Sequence, residues 1–246
     1  MASTRSLLRP YNGLARLSGH IVQAPATCIS RRQLSTAPDP NSQAEATSTA
    51  APLRLKPLTP EQRDFLSSAL RVNQAGELAA TRIYTAQTPP IVNRHPHLRP
   101  LMAHMYEQEE GHLKTFNSLI HKHRVRPTAL YPLWQLMSTG LGWSTAVMGR
   151  EAAMACTEAV ETEIGDHYNS QIRILLEMVS EWEAEGYDVG PEFTQLIKTL
   201  RRIRDEELEH LDHAVEHDAK KAEPHWLLTG IIRAGCKGAI WVSEKI

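Results

Sequence analysis

Two Glu-x-x-His segments are the residues of this chain best equipped for chemistry: Glu109 with His112, and Glu207 with His210. Both sit in the longer pattern acid-x-Glu-x-x-His-Leu, beginning at Glu107 and Asp205. On a helix, residues three apart share a face, so each pair presents a carboxylate and an imidazole together. A second repeat accompanies the first. Glu77 precedes Tyr84 by seven residues, and Glu161 precedes Tyr168 by seven. Seven residues are two helical turns, so each Glu and Tyr also share a face. Four glutamates and two histidines drawn from four helices describe a carboxylate-rich dinuclear metal site. Hard oxygens with a few imidazoles suit iron or manganese. Four carboxylates also balance two divalent ions, which makes their burial tolerable. Glu158 shares the face of Glu161 and is its rival as a ligand. Glu163 with His167 forms an i,i+4 pair off that face, either an ordinary surface pair or a substrate-side contact, and His104, His121, His123, His213 and His217 read as surface residues. Tyr84, Tyr168 and Asp205 are candidates for the shell around the ligands, with Glu206 and Gln108 as further groups able to orient the histidines.

Such a site needs four helices at matching depth. Thr59-Pro60-Glu61-Gln62 opens the first with a capping box and an N-terminal proline. That helix is predicted to run to about Gln87 and stop at Thr88-Pro89-Pro90. A second spans about His97 to Lys122, a third lies within 127–149, and a fourth runs from about Arg150 to Glu181. A fifth extends from Pro191 to about Ala222, and Pro224 opens a short sixth. From Glu77 to Thr88 is ~16 Å and from His97 to Glu109 ~18 Å at the helical rise, so those carboxylates meet at one level. No alternating strand pattern of useful length appears, and the class is all-α. The body is two copies of one helix pair with an apolar segment between them.

That segment, 127–149, has no charged residue. It could span a bilayer by length, but Gln135, Ser138, Thr139, Ser144, Thr145 and its glycines and prolines dilute it. It reads either as a helix lying in a membrane surface or as one packed on another apolar helix. The final helix offers a matching face. Trp134, Leu136, Trp143 and Val147, with Trp226, Ile231 and Trp241, are the candidate membrane face and substrate entrance.

The chain has 246 residues and a net charge of −1, so no basic surface advertises nucleic acid. The three cysteines form no CxxC pair, which disfavours a zinc ribbon or a disulfide framework. The charge is unevenly placed. Residues 1–38 contain five arginines and no acid. Arg-rich, Ser-rich and acid-free is the composition of a mitochondrial transit peptide, expected over 1–34, with a disordered linker over 35–57 and the functional domain over 58–246.

Taken together, RVNQAGELAATRIYTAQ (71–87), QEEGHLKTFN (108–117), RVRPTALYPLW (124–134), ACTEAVETEIGDHYNSQI (155–172), RDEELEHLDHAVEHDA (204–219) and AGC (234–236) resemble the demethoxyubiquinone hydroxylase family of ubiquinone biosynthesis. The resemblance implies a ferritin-like four-helix bundle core with two extra apolar helices. It carries the metal ligands onto Glu77, Glu109, His112, Glu161, Glu207 and His210, and leaves open which glutamates bridge. It implies two iron ions, O₂ as co-substrate, and NADH or another external reductant. The substrate would be a demethoxy polyprenyl benzoquinol, hydroxylated on its ring. The expected setting is peripheral, on the matrix side of the mitochondrial inner membrane. A lipid-binding partner, other quinone-biosynthesis enzymes and a homo-oligomer are the implied company. The alternative is a di-iron binding or scaffold protein of the same complex without turnover. Asn73 and Gln74 stand where the family pattern would have Asp and His, and Leu78-Ala79 replaces an aromatic-Gly pair. The 181–190 stretch is longer than usual.

Overall fold

A computed structural model describes residues 52–246. The transit-peptide reading of 1–34 and most of the linker reading lie outside them. The elements are α1 (Pro60–Arg94), a 3-10 turn (Pro96–Leu98), α2 (Arg99–Lys122), α3 (Tyr131–Met148), α4 (Arg150–Ala184), α5 (Pro191–Glu216), a second 3-10 turn (Ala219–Lys221) and α6 (His225–Lys245). The fold is all-α, as expected. α1 pairs with α2, and α4 with α5, to make a ferritin-like four-helix bundle. α3 lies across α1 and α4, and α6 lies against α4 and α1.

The capping box at the start of α1 forms in both directions. Gln62 N donates to Thr59 Oγ1 at 3.2 Å, and Thr59 N donates to Gln62 Oε1 at 3.0 Å. The expected stop at Pro89-Pro90 does not occur: α1 continues to Arg94. The two prolines strip donors from the carbonyls of Thr85 and Ala86, and Thr85 is exposed, so water can satisfy the loss there. The next turn buries Ile91 and Val92 in the core, which favours continuing. The depth match survives this correction. α1 climbs ~26 Å from Glu77 to Arg94, while the 3-10 turn and α2 descend ~21 Å to Glu109, a difference of about one turn. At the other end, α5 stops at Glu216 rather than near Ala222, and a left-handed Asp218 leads into the second 3-10 turn.

Two close approaches fix the outer parts. Gly142 lets α3 sit on the α1 backbone: a Cβ there would lie 2.5 Å from Ile83 O and 2.8 Å from Ile83 Cα. Ahead of α1, Leu55 makes an isolated bridge to Asp188. Arg54 N donates to the Asp188 carboxylate at 2.7 Å, and its guanidinium lies 4.8 Å from the Tyr187 ring centroid. The 181–190 stretch is therefore where the incoming chain docks.

The outward faces of α3 and α6 are apolar. Leu136 is 72% exposed and Trp226 is 75% exposed; Trp143, Val147, Ile231 and Trp241 are also exposed. Trp134 is half-buried and donates from Nε1 to Ser243 Oγ at 3.1 Å, tying α3 to α6. Among the described residues, no helix is long and apolar enough to cross a membrane.

Candidate metal centre

The bundle brings all six sequence-predicted ligands together. Glu77 comes from α1, Glu109 and His112 from α2, Glu161 from α4, and Glu207 and His210 from α5; every one is buried. They form two overlapping groups: Glu77, Glu109, His112 and Glu207, and Glu109, Glu161, Glu207 and His210. In each group one donor atom per residue lies within 4.8 Å of the others. Glu109 and Glu207 belong to both. Glu77 and Glu161 each belong to one.

The histidines are oriented from outside. His112 Nε2 lies 2.6 Å from Glu206 Oε2, and His210 Nε2 lies 2.8 Å from Gln108 Oε1. Both partners are oxygens, so each Nε2 carries the proton and each Nδ1 turns inward. His112 Nδ1 stands 3.0 Å from Glu207 and 3.4 Å from Glu77; His210 Nδ1 stands 3.0 Å from Glu109 and 3.2 Å from Glu207. None of these approaches has hydrogen-bond geometry. Glu77 Oε2, Glu161 Oε2, both oxygens of Glu109 and Glu207, and both Nδ1 atoms are buried without a hydrogen-bond partner among the described residues. A protein interior rarely leaves so many polar atoms unmet in one spot.

The electrostatics say the same. Burial raises the carboxyls of Glu77, Glu109 and Glu161, and the neighbouring charge of Glu207 raises them further. Glu207 lies between the two imidazoles, which overcome its burial and hold it near 2. Burial works against a charged His112, yet Glu207 and Glu77 push it up to about 12. The cluster demands positive charge, supplied either by protons or by cations. Donors of this kind fit two metal ions: inward imidazole nitrogens and carboxylates shared between two groups, and among the described residues Glu77, Glu109 and Glu207 pair with no lysine or arginine, only with the two histidines.

The tyrosines cross over between the repeats. Tyr84 on α1 donates to Glu161 Oε1 at 3.0 Å, and Tyr168 on α4 donates to Glu77 through a short bond. Asp205 does not take the outer-shell place expected of it. It points to solvent and pairs with Arg204. One residue on, Glu206 faces His112, because a helix turns about 100° per residue. The rival Glu158 faces away from the cluster and pairs with Lys220 and with His225, the latter at 2.8 Å. Glu163 is buried rather than on the surface, paired with Arg233.

A cavity of 340 Å³ opens between α3 and α6 and reaches Glu77 and Tyr168. Its wall is mostly apolar and includes Leu141, Ile164 and Ile232. His167 stands on it, pulled down to about 4 by burial and so neutral near pH 7. Gln171 Nε2 lies 2.6 Å from His167 Nε2 and also donates to Asn73 Oδ1 at 2.9 Å, while Asn73 Nδ2 donates back to Gln171 Oε1 at 2.8 Å. Asn73 thus serves this network. The sequence showed it only as a departure from the family pattern, because its partner lies 98 positions away.

Glu206→Ala and Gln108→Ala should each lower metal affinity by ~10–100-fold, since each frees a histidine ring that must hold its Nδ1 inward. Metal titration of both variants, with Asp205→Ala unchanged beside them, checks the assignment. Loss of affinity in Asp205→Ala instead would reverse it.

A family model described as "Ubiquinone biosynthesis protein COQ7" matches residues 64–243. The chain belongs to the COQ7 family. It is 46% identical over 191 residues to the Saccharomyces cerevisiae protein named 5-demethoxyubiquinone hydroxylase, mitochondrial, covering 77% of this chain and 82% of that one. It is 44% identical over 184 residues to a Bos taurus protein named NADPH-dependent 3-demethoxyubiquinone 3-hydroxylase, mitochondrial, covering 75% and 79%. A Rhodospirillum rubrum protein named 3-demethoxyubiquinol 3-hydroxylase is 40% identical over 191 residues, covering 77% and 82%. The COQ7 match spans all six clustered residues and both apolar helices almost to their ends.

Proposed function

We propose that this protein hydroxylates the ring of a demethoxy polyprenyl benzoquinol with O₂, as a step of ubiquinone biosynthesis. The observation that carries the reading is the buried set of unmet carboxylate and imidazole atoms, reached at Glu77 by an apolar cavity. Glu77, Glu109, His112, Glu161, Glu207 and His210 would hold the two irons, with Glu109 and Glu207 common to both groups. Bound there, iron supplies the redox chemistry that activates O₂, with electrons from an external reductant of the reduced-nicotinamide class.

The chain's own part is binding, orientation and proton control. The apolar wall excludes water from the ring and accepts the first part of its tail. Gln171, held by Asn73, takes up Nε2 of His167, so the neutral ring offers Nδ1–H to a quinol oxygen. Tyr168 and Tyr84 hold their protons against Glu77 and Glu161, because burial and those carboxylates raise both phenols well above their ordinary value.

The substrate's tail is insoluble in water, so the cavity needs a lipid source. The exposed faces of α3 and α6 flank it and carry exposed tryptophans. Tryptophan favours the membrane–water interface. We place the protein peripherally on the matrix side of the inner membrane, after removal of a transit peptide in 1–34, where a lipid-binding partner could present substrate. Charging this surface with Leu136→Asp and Val147→Asp should abolish flotation with liposomes and turnover of long-tail quinol. A doubly charged protein that still floats and turns over would refute this placement.

The direct test is a single turnover. Residues 36–246 are loaded anaerobically with two Fe(II) per chain, then given a short-tail demethoxyquinol and ¹⁸O₂. A product carrying one ¹⁸O is expected. Stable iron binding without labelled product, in the presence of a competent reductant, would leave a binding or scaffold role.

A further inference from the structure

We propose that the solvent end of the α2–α5 seam is a separate metal site, taking one divalent transition ion between His104, Glu209 and His213. His104 lies on α2; Glu209 and His213 lie one turn apart on α5. Glu209 Oε1 stands 4.0 Å from His104 Nε2 and 3.5 Å from His213 Nε2. One donor atom from each of the three lies within 4.8 Å of the other two. Two ligands of a tetrahedral ion, each ~2.0–2.1 Å from it, are about 3.4 Å apart. Small side-chain adjustments therefore close the set, and half-exposed side chains can make them.

Three further observations single this group out from ordinary surface charge. Among the described residues, the ion-pair partners of Glu209 are these two histidines alone, with no lysine or arginine to neutralise it. The far nitrogen of His213, Nδ1, faces Glu216 Oε2 at 3.6 Å, so a carboxylate stands behind a ligand imidazole as it does in many metal sites. The two rings meet edge to face, with centroids 6.5 Å apart, and both turn Nε2 toward the same oxygen of Glu209. Two imidazoles and one carboxylate suit Zn²⁺ or Fe²⁺ rather than Mg²⁺ or Ca²⁺, with water filling the remaining positions.

The position gives the ion a role. His213 is one turn beyond His210, and His104 is one turn before Gln108, which accepts from His210. An ion here ties α2 to α5 where their seam opens to water. It braces the contact that orients His210. The site rests on this geometry alone and does not require iron in the buried cluster.

The test compares the full chain, freed of any affinity tag, with His104→Ala/His213→Ala, Glu209→Gln and, as a control exposed histidine, His121→Ala. Zn²⁺ uptake is read by calorimetry and Tm by circular dichroism. The parent and His121→Ala should each bind one Zn²⁺ per chain more than the double variant and melt higher with Zn²⁺ than without. Glu209→Gln should bind that ion at least ~10-fold more weakly. All four should melt alike in chelator, since the changed side chains are surface groups. Equal uptake by the parent and the double variant overturns the site; an uptake difference with no Tm difference overturns the clamp. The buried cluster is the same in every chain compared, so its contents cancel.

Discussion

Glu207→Gln lowers hydroxylation by roughly 1000-fold, the loss of about 4 kcal/mol of stabilisation expected when a metal centre is dismantled. Glu207 is the hub of the cluster. Its oxygens lie 3.0 Å from the inward nitrogen of His112 and 3.2 Å from that of His210, and it belongs to both candidate ligand groups. Gln keeps the volume but neither the charge nor the second anionic oxygen, so it would hold two cations far more weakly. Iron content should fall together with kcat, while the helical circular-dichroism signal is retained. Glu158→Gln is the control. It sits three residues from Glu161 on α4, yet it faces Lys220 and His225, so its iron content should match the parent's. Iron loss in Glu158→Gln with retention in Glu207→Gln would exchange their roles.

The second large effect is on stability. Gly142→Ala places a methyl group 2.5 Å from the carbonyl oxygen and 2.8 Å from the Cα of Ile83. These are backbone atoms of a buried helix and cannot rotate aside, so α3 must lift off α1. Overpacking of this kind costs about 2–3 kcal/mol, which for a domain of this size is a fall in Tm of roughly 5–10 °C. Gly140, two residues away on the same helix, has open space where its Cβ would be. Gly140→Ala should therefore hold or slightly raise Tm, because alanine favours helix by up to ~1 kcal/mol. Trp134, Met137 and Leu141 of α3 also wall the cavity, so Gly142→Ala should raise KM for the quinol beyond its effect on kcat. Identical melting of the two alanine variants would sink this account.

The six clustered residues were legible because a helix converts spacing into facing. Glu-x-x-His twice, and Glu with Tyr seven residues on twice, place six side chains on interior faces before any packing is known. The misreadings share a physical origin. Asp205 and Glu206 are both candidates from spacing, but which of two adjacent acids faces the neighbouring helix depends on helix rotation, which only packing fixes. The proline pair was read as a stop, although Ile91 and Val92 gain enough by burial to carry α1 past it. The spacing of Glu163 and His167 fitted a surface pair as well as a substrate-side contact, because the partner that buries Glu163, Arg233, lies 70 positions away on α6. The Asn73–Gln171 pair was hidden in the same way, and so was the contact of Gly142 with Ile83. Local pattern reports the face of an element; it does not report what the chain brings to that face from far away.

The two tyrosine bonds cross between the halves, α1 to α4 and α4 to α1, so the interior is close to twofold symmetric. The cavity is not. It touches Glu77 and Tyr168 but not Glu161 or Tyr84. Two similar helix pairs supply similar half-sites, and the cavity beside α3 and α6 makes them unequal. One half can change its surroundings to suit a new ring or tail, while its twin keeps the cluster in register. Variation in what this scaffold accepts should therefore accumulate on one side of its axis.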